Sequence, residues 1–159
     1  MEHNYGQHQP APKPANWIEP ESEMGFMEAV KASFDKYADF EGRARRSEFW
    51  YFRLFQIMVM IGMLFLAGIV AVIDERLVML PLGLLILFLI ATIVPSLASS
   101  VRRLHDTGNS GWLVLLDIFC TNGLVMIVMG CIDGNKGSNQ YGPDPKRSGK
   151  QFDEFNRRY

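Results

Sequence analysis

The chain has 159 residues, about the size of one domain, with 48% apolar residues and a formal net charge of −1. A charge so near zero excludes a globally basic nucleic-acid binder, and no nucleic-acid partner is expected. The apolar residues crowd into three blocks instead of spreading along amphipathic elements, which points to a membrane protein.

Residues 1–21, with Pro10, Pro12, Pro14 and Pro20 among Asn, Gln and His, read as a disordered polar head with nothing to bury. This head lacks the apolar core of a cleavable signal, so the first apolar block is expected to direct insertion. From Ser22 the pattern changes. Phe26, Val30, Phe34 and Tyr37 recur at helical spacing, with Glu28, Lys31, Asp35 and Lys36 largely on other faces, which predicts an amphipathic helix over 22–40. The pattern leaves open whether that helix lies on the membrane surface or packs on the protein's own cytoplasmic side.

Gly42 is read as the stop of that helix, and Arg43, Arg45, Arg46, Phe49, Trp50, Tyr51, Phe52 and Arg53 come after it. Charge, then aromatic rings, then hydrocarbon is the order of a membrane interface. Residues 54–73 carry no charged side chain, and about 20 apolar residues rise roughly 30 Å as a helix, enough to cross a bilayer core. They are the first predicted span. Asp74, Glu75 and Arg76 form a polar break, and 77–97 is the second span. Pro81 falls in its first turns, where a missing amide donor costs little, whereas Pro95 is expected to end or kink it. Thr92, Ser96 and Ser99 either bond across helices or donate back to their own carbonyls.

A connector, 100–110, holds Arg102, Arg103, His105, Asp106, Gly108 and Asn109, and Gly111 and Trp112 lead into a third apolar run over 111–132, interrupted by Asp117 and Asn122. The stretch from Asp133 is rich in Gly, Asn and Pro and reads as turns, with a polar tail over 147–159. Cys120 and Cys131 would lie roughly 16 Å apart along one helix, so no disulfide is expected between them.

Lysine and arginine gather on cytoplasmic ends of spans, which places both arginine clusters in the cytoplasm. A complete third span would then send Lys136, Lys146, Arg147, Lys150, Arg157 and Arg158 outside, against the same tendency. The alternative is a re-entrant third segment, since 22 residues fall short of the roughly 40 needed for two spans. The fold class is therefore all-α: a polytopic helical membrane protein with about three transmembrane helices plus an N-terminal amphipathic helix, in one membrane domain over 22–146.

Two segments carry a recognisable pattern: Phe40-Glu41-Gly42-Arg43-Ala44-Arg45-Arg46-Ser47-Glu48-Phe49-Trp50, and Arg102-Arg103-Leu104-His105-Asp106-Thr107-Gly108-Asn109-Ser110-Gly111-Trp112. With Asp133-Gly134-Asn135 and Asn139-Gln140-Tyr141-Gly142-Pro143-Asp144-Pro145, the chain resembles the YhaH and YhaI type of bacterial inner-membrane proteins, domain of unknown function 805, over residues 24–146. The resemblance implies a compact inner-membrane domain and brings no activity, substrate or catalytic residue with it. This chain departs from the pattern at Leu113, where a second aromatic is common, and at Asp117 and Asn122.

Chemistry is looked for first at His105 and Asp106, since a carboxylate can orient an imidazole for proton transfer or metal binding. No second His stands at ligand spacing and no nucleophile is tied to the pair. The expected role is structural: Asp106 caps a turn and pairs with an arginine, while Arg43, Arg45, Arg46, Arg102 and Arg103, together with His105 and Asp106, meet anionic head groups or a partner. Asp133, Asn135 and Asp144 fall at the first, third and twelfth positions of a calcium loop, but Gly137 and Ser138 replace the fifth-position ligand and the sixth-position glycine. No metal, cofactor or catalytic residue is expected. Asp117 lies some 8 Å past Trp112, near enough to the interface to stay hydrated or to reach Arg102 or Arg103. The primary reading is a non-enzymatic membrane module for assembly, with lipid, a membrane protein or a second copy as partner. The alternatives are a small oligomeric transporter or channel lined by Asp117, Asn122, Thr92 and Ser96, and an enzyme acting on lipid head groups through His105 and Asp106.

Overall fold

The computed structural model describes residues 24–121 and 123–146. The expected head, the tail from 147 and Asn122 lie outside the described residues. The described chain is helical, with one isolated bridge between Asn139 and Gly142.

Helix α1 spans Phe26–Asp35, shorter than the 22–40 expected. Gly25 opens it in extended backbone, and its amide donates to Glu28 three residues on, half of a capping box. The chain leaves the helix at Lys36. Gly42 ends no helix; it turns the loop before α2 in the left-handed region at φ 77°. Of the two placements left open for α1, packing on the protein is the one adopted. Ala29, Val30 and Ser33 are buried, Phe26 meets Tyr51 edge-on, and Phe34 meets Phe52 and Phe55 in the same way.

Helices α2, Arg46–Ile73, and α3, Met79–Asp106, are 28 residues each and therefore about 42 Å long. Both run past the predicted spans at the arginine end. A short turn over Glu75–Leu77 joins them, capped by the Asp74 carboxylate, which accepts from the Arg76 amide at 2.9 Å. Both are long and apolar enough to cross a membrane, and most of their large apolar side chains face outward. Helix α3 does not end at Pro95. A proline there leaves the carbonyl of Ala91, four residues earlier, without its amide donor. The Tyr37 hydroxyl supplies the replacement, donating to that carbonyl at 2.6 Å. The loop after α1 thus repairs the proline defect, and the helix continues three more turns to Asp106.

The third apolar run is not one helix. It forms α4, Leu113–Leu116, a π turn over Asp117–Thr121, and α5, Leu124–Cys131, with Gly123 in the left-handed region at φ 94°. Val114 at its start and Met126 near its end pack on Phe49 and Leu104 in one buried cluster. At its entry Gly111 abuts Val101 and His105; at its exit Gly130 abuts Phe49 and Trp50, and its carbonyl accepts from the Trp50 indole at 3.0 Å. Entry and exit therefore stand at the same level of α2 and α3. A continuous span over 111–132 is replaced by a hairpin that enters and leaves at the arginine end.

Candidate functional site

The charged residues of three separate segments converge at the arginine end. Arg102 and Arg103 are consecutive on the last turn of α3 and point in different directions, because successive residues on a helix stand about 100° apart. Arg102 reaches towards α1 and α2. It donates to Glu48 Oε1 at 2.9 Å and to the carbonyls of Lys36, at 3.2 Å, and Asp39. Arg103 reaches the other way, to Asp106 Oδ2, the Met129 carbonyl at 3.0 Å and the Ile132 carbonyl, so it holds the exit of the hairpin.

Arg43 completes the arrangement from the loop before α2. Its Nε and Nη2 stand 3.0 and 2.9 Å from Asp106 Oδ1, and its Nη1 and Nη2 donate to the carbonyls of Gly137 at 2.6 Å and Asn135. Asp106 therefore gives one oxygen to each of two guanidinium groups, and its backbone carbonyl accepts from the Asn135 amide at 2.8 Å. Gly134 passes so close that a Cβ would overlap the Asp106 carboxylate. These contacts fold the 133–146 segment back onto the ends of α2 and α3. The side chains of Arg43, Arg102, Arg103, Glu48 and Asp106 are 0–4% exposed, so the cluster is a closed knot of paired charges.

His105 takes no part in a proton couple with Asp106, since adjacent helix positions direct the two side chains apart. Its ring stacks on Tyr141 with centroids 3.9 Å apart and planes 3° from parallel, its Nδ1 lies 3.2 Å from the Gly42 carbonyl, and its own carbonyl accepts from Asn139 Nδ2 at 2.9 Å. Arg45 lies against the 133–146 segment, donating from Nε to the Pro145 carbonyl. Burial lowers its pKa, opposed by the charges of Asp144 and Glu48. Arg46 is the outward member of its cluster, 3.3 Å from Asp133, which also accepts from Lys146 at 2.7 Å. Hydrogen bonds from Lys146 and Arg46 hold the Asp133 carboxyl below its ordinary range. Asp144 accepts from the amides of Gly137 and Lys146 and shapes the turn that a calcium-loop reading would assign to metal. Among the described residues no group of three or more His, Cys, Asp or Glu is arranged to hold a metal.

The expected pairing of Asp106 with an arginine is therefore present twice over. Arg43, Arg102 and Arg103, expected at head groups, instead face the protein's own acceptors, and Arg46 remains on the surface. Asp117 pairs with neither Arg102 nor Arg103. Its Oδ1 accepts from Thr121 Oγ1 at 2.6 Å and from the Val125 amide at 2.9 Å. The break at Gly123 leaves the first amides of α5 without helical acceptors, and Asp117 answers one of them across the hairpin. Cys120 and Cys131 are free and exposed.

Sequence reasoning missed Glu48, Tyr37, Tyr141 and the polar seam between the spans. In that seam Arg53 donates to Ser100 Oγ at 3.0 Å and Gln56 Oε1 at 3.4 Å, and Gln56 Nε2 donates to Ser96 Oγ at 2.7 Å. Ser96 thus bonds across helices, Thr92 back-bonds to Phe88 at 2.9 Å, and Ser100 does both. A signal for the seam existed: Arg53 and Gln56 sit three apart on an otherwise apolar helix, facing serines four apart on α3.

Two long apolar helices with outward-facing side chains, a hairpin and a polar knot at one end define a polytopic α-helical membrane protein. Residues 37–143 match the family described as "Protein of unknown function (DUF805)", and the chain belongs to that family. It is similar to Inner membrane protein YhaI of Escherichia coli (strain K12), at 42% identity over 111 residues covering 69% of this chain and 88% of the relative. It is also similar to Inner membrane protein YhaH of the same strain, at 39% identity over 115 residues covering 69% and 89%. No solved structure matches.

Proposed function

We propose that the chain is a non-enzymatic membrane module: a two-span anchor with one re-entrant hairpin, whose folded cytoplasmic face serves assembly with a membrane protein or a second copy. The observation that carries this reading is the knot. Arg43 and Asp106 are committed to holding the 133–146 segment against α3, Arg102 to Glu48, Arg103 to the hairpin exit, and His105 to Tyr141. An enzyme using His105 and Asp106 would need both side chains turned to a common substrate. A carrier using Asp117 would need its carboxylate free of the α5 amide that it accepts.

The positive bias supports a cytoplasmic position for the knot, and with it for 133–146, leaving the Glu75–Leu77 turn on the far side. Single cysteines at Ser138 and Arg76, with Cys120 and Cys131 replaced, test this in intact cells. Arg76→Cys should react with an impermeant maleimide and Ser138→Cys should react only after the membrane is opened. Labelling of Ser138→Cys from outside would overturn the topology. A photo-crosslinking residue at exposed Ser138 or Lys136 tests the module itself, with a discrete adduct of a membrane protein or a second copy expected. A flux or turnover phenotype of Asp117→Asn or His105→Ala at normal protein level would sink it in favour of transport or catalysis.

A further inference from the structure

Beside the seam lies a groove of about 400–500 Å³ between α2, α3 and the hairpin tip, lined by Arg53, Gln56, Ile90, Ile93, Ser96 and Ile118 among others. Its floor at the arginine end is polar and its walls are apolar and exposed. Arg53 carries five N–H donors, of which two are used, on Gln56 and Ser100. The guanidinium also rests on the Phe49 ring, 5.5 Å from its centroid, and Asp117 acts on it only at a distance. Among the described residues Arg53 forms no ion pair, whereas each arginine of the knot beyond it is met by carboxylates or carbonyls. It stands at the first residue before the uncharged stretch of α2, the level of lipid phosphates.

We propose that this groove is a site for one anionic glycerophospholipid, its phosphate on Arg53 and one acyl chain laid along α3. The proposal rests on the membrane-module reading and adds to it a residue and a lipid class. A guanidinium with spare donors is matched to a phosphate's oxygens and, at the edge of hydrocarbon, lacks the water that would otherwise solvate it. Gln56 and Ser96 sit beside the phosphate position, suited to ester and glycerol oxygens. From Ser96 to Ile86 the α3 wall descends about 15 Å, half the thickness of a bilayer core, past Ile93, Ile90 and Leu89. Ile118, on the hairpin, lines the groove beside them. The knot itself offers no such site, since its arginine side chains are closed off from the surface, 0–1% exposed.

The full chain, in nanodiscs and then released into mild detergent for native mass spectrometry, should retain one phosphatidylglycerol in preference to phosphatidylcholine of the same chains. Arg53→Gln should lower that retention about tenfold or more. Arg53→Lys should keep most of the charge preference, Ile93→Trp should lower retention by filling the groove, and Arg46→Gln should change nothing. Should Arg53→Gln fail to fold, Ile93→Trp and Arg53→Lys carry the test. Equal retention of both lipids, or of phosphatidylglycerol by wild type and Arg53→Gln, overturns the proposal. So does displacement of the lipid by millimolar inorganic phosphate with Ile93→Trp silent, which would leave an anion site without a chain groove. Crosslinks from Ser138 that persist in Arg53→Gln would show the lipid site failing while the module stands.

Discussion

The two ends of this molecule invert each other. At the arginine end the charged side chains of the knot are buried within the protein, while along the outer two thirds of α2 and α3 residues such as Val72, Phe65 and Met79 are left exposed. In water such a chain would be inside out. In a bilayer each end answers its own solvent: apolar side chains need no protein partner in hydrocarbon, and polar groups near it must be satisfied internally. The polar contacts are therefore gathered at one end, and beyond the seam the spans pack through apolar groups, with Ala67 and Leu85 buried and Phe55 edge-on to Phe88.

That comparison breaks most easily at Asp106. Asp106→Ala would leave Arg43 and Arg103 buried and facing each other, a loss of about 3–5 kcal/mol. Thermal unfolding in detergent and protease release of the 133–146 segment would both show it; an unchanged protease pattern would mean that the knot does not hold the tail. Next comes Tyr37→Phe, which removes the donor to the Ala91 carbonyl that Pro95 leaves open. The expected cost is about 1–3 kcal/mol, read as a lower unfolding temperature and as loosening of α3 around Pro95 by hydrogen exchange. A silent variant would mean that water or lipid answers the carbonyl equally well.

The legibility of the sequence divides along the same line. The uncharged runs 54–73 and 77–97 announce their helices because a bilayer imposes a length and a composition that nothing local can imitate. The knot was half legible. Arginine clusters before and after the spans were plain, but a cluster reads alike whether it faces phosphates or a distant carboxylate, and contacts such as Arg43 with Asp106 and Arg102 with Glu48 join residues 63 and 54 apart. Pro95 misled because its rescuer, Tyr37, lies 54 residues before the carbonyl that it answers, that of Ala91. The third run was left open between a span and a re-entrant segment, for a different reason. Composition favours a span over 111–132, whereas one glycine at φ 94° and a carboxylate placed to cap α5 turn it into a hairpin.

Smaller changes sharpen the picture. Gly134→Ala places a methyl on the Asp106 carboxylate, so the tail must shift, at about 1–3 kcal/mol. Its signature would be weaker protection of the 133–146 segment from protease with the spans intact. At the hairpin tip, Asp117→Ala removes the acceptor for the Val125 amide and should cost about 1 kcal/mol, whereas Asp117→Asn keeps an acceptor oxygen and should be nearly silent. If the asparagine variant were as damaging as the alanine, the charge would matter beyond capping.

The smallest effect belongs to Asp133, on the rim of the knot. Lys146 and Arg46 lower its folded pKa below the ordinary aspartate value of about 3.9, so the folded chain binds this proton less well than the unfolded chain. The stabilisation is therefore complete above that ordinary value and is lost as the pH falls through it towards the lowered folded value. Asp133 is exposed and its partners are half exposed, so solvent and salt screen most of the gain. Acidification from about pH 5 to about pH 3 in low salt should loosen the tail slightly more in wild type than in a double variant, Arg46→Gln with Lys146→Gln. The difference should vanish in about 1 M salt, where the Debye length falls to roughly 3 Å. A difference that survives that salt would place Asp133 inside the knot with Asp106, whose buried pairs high salt does not reach.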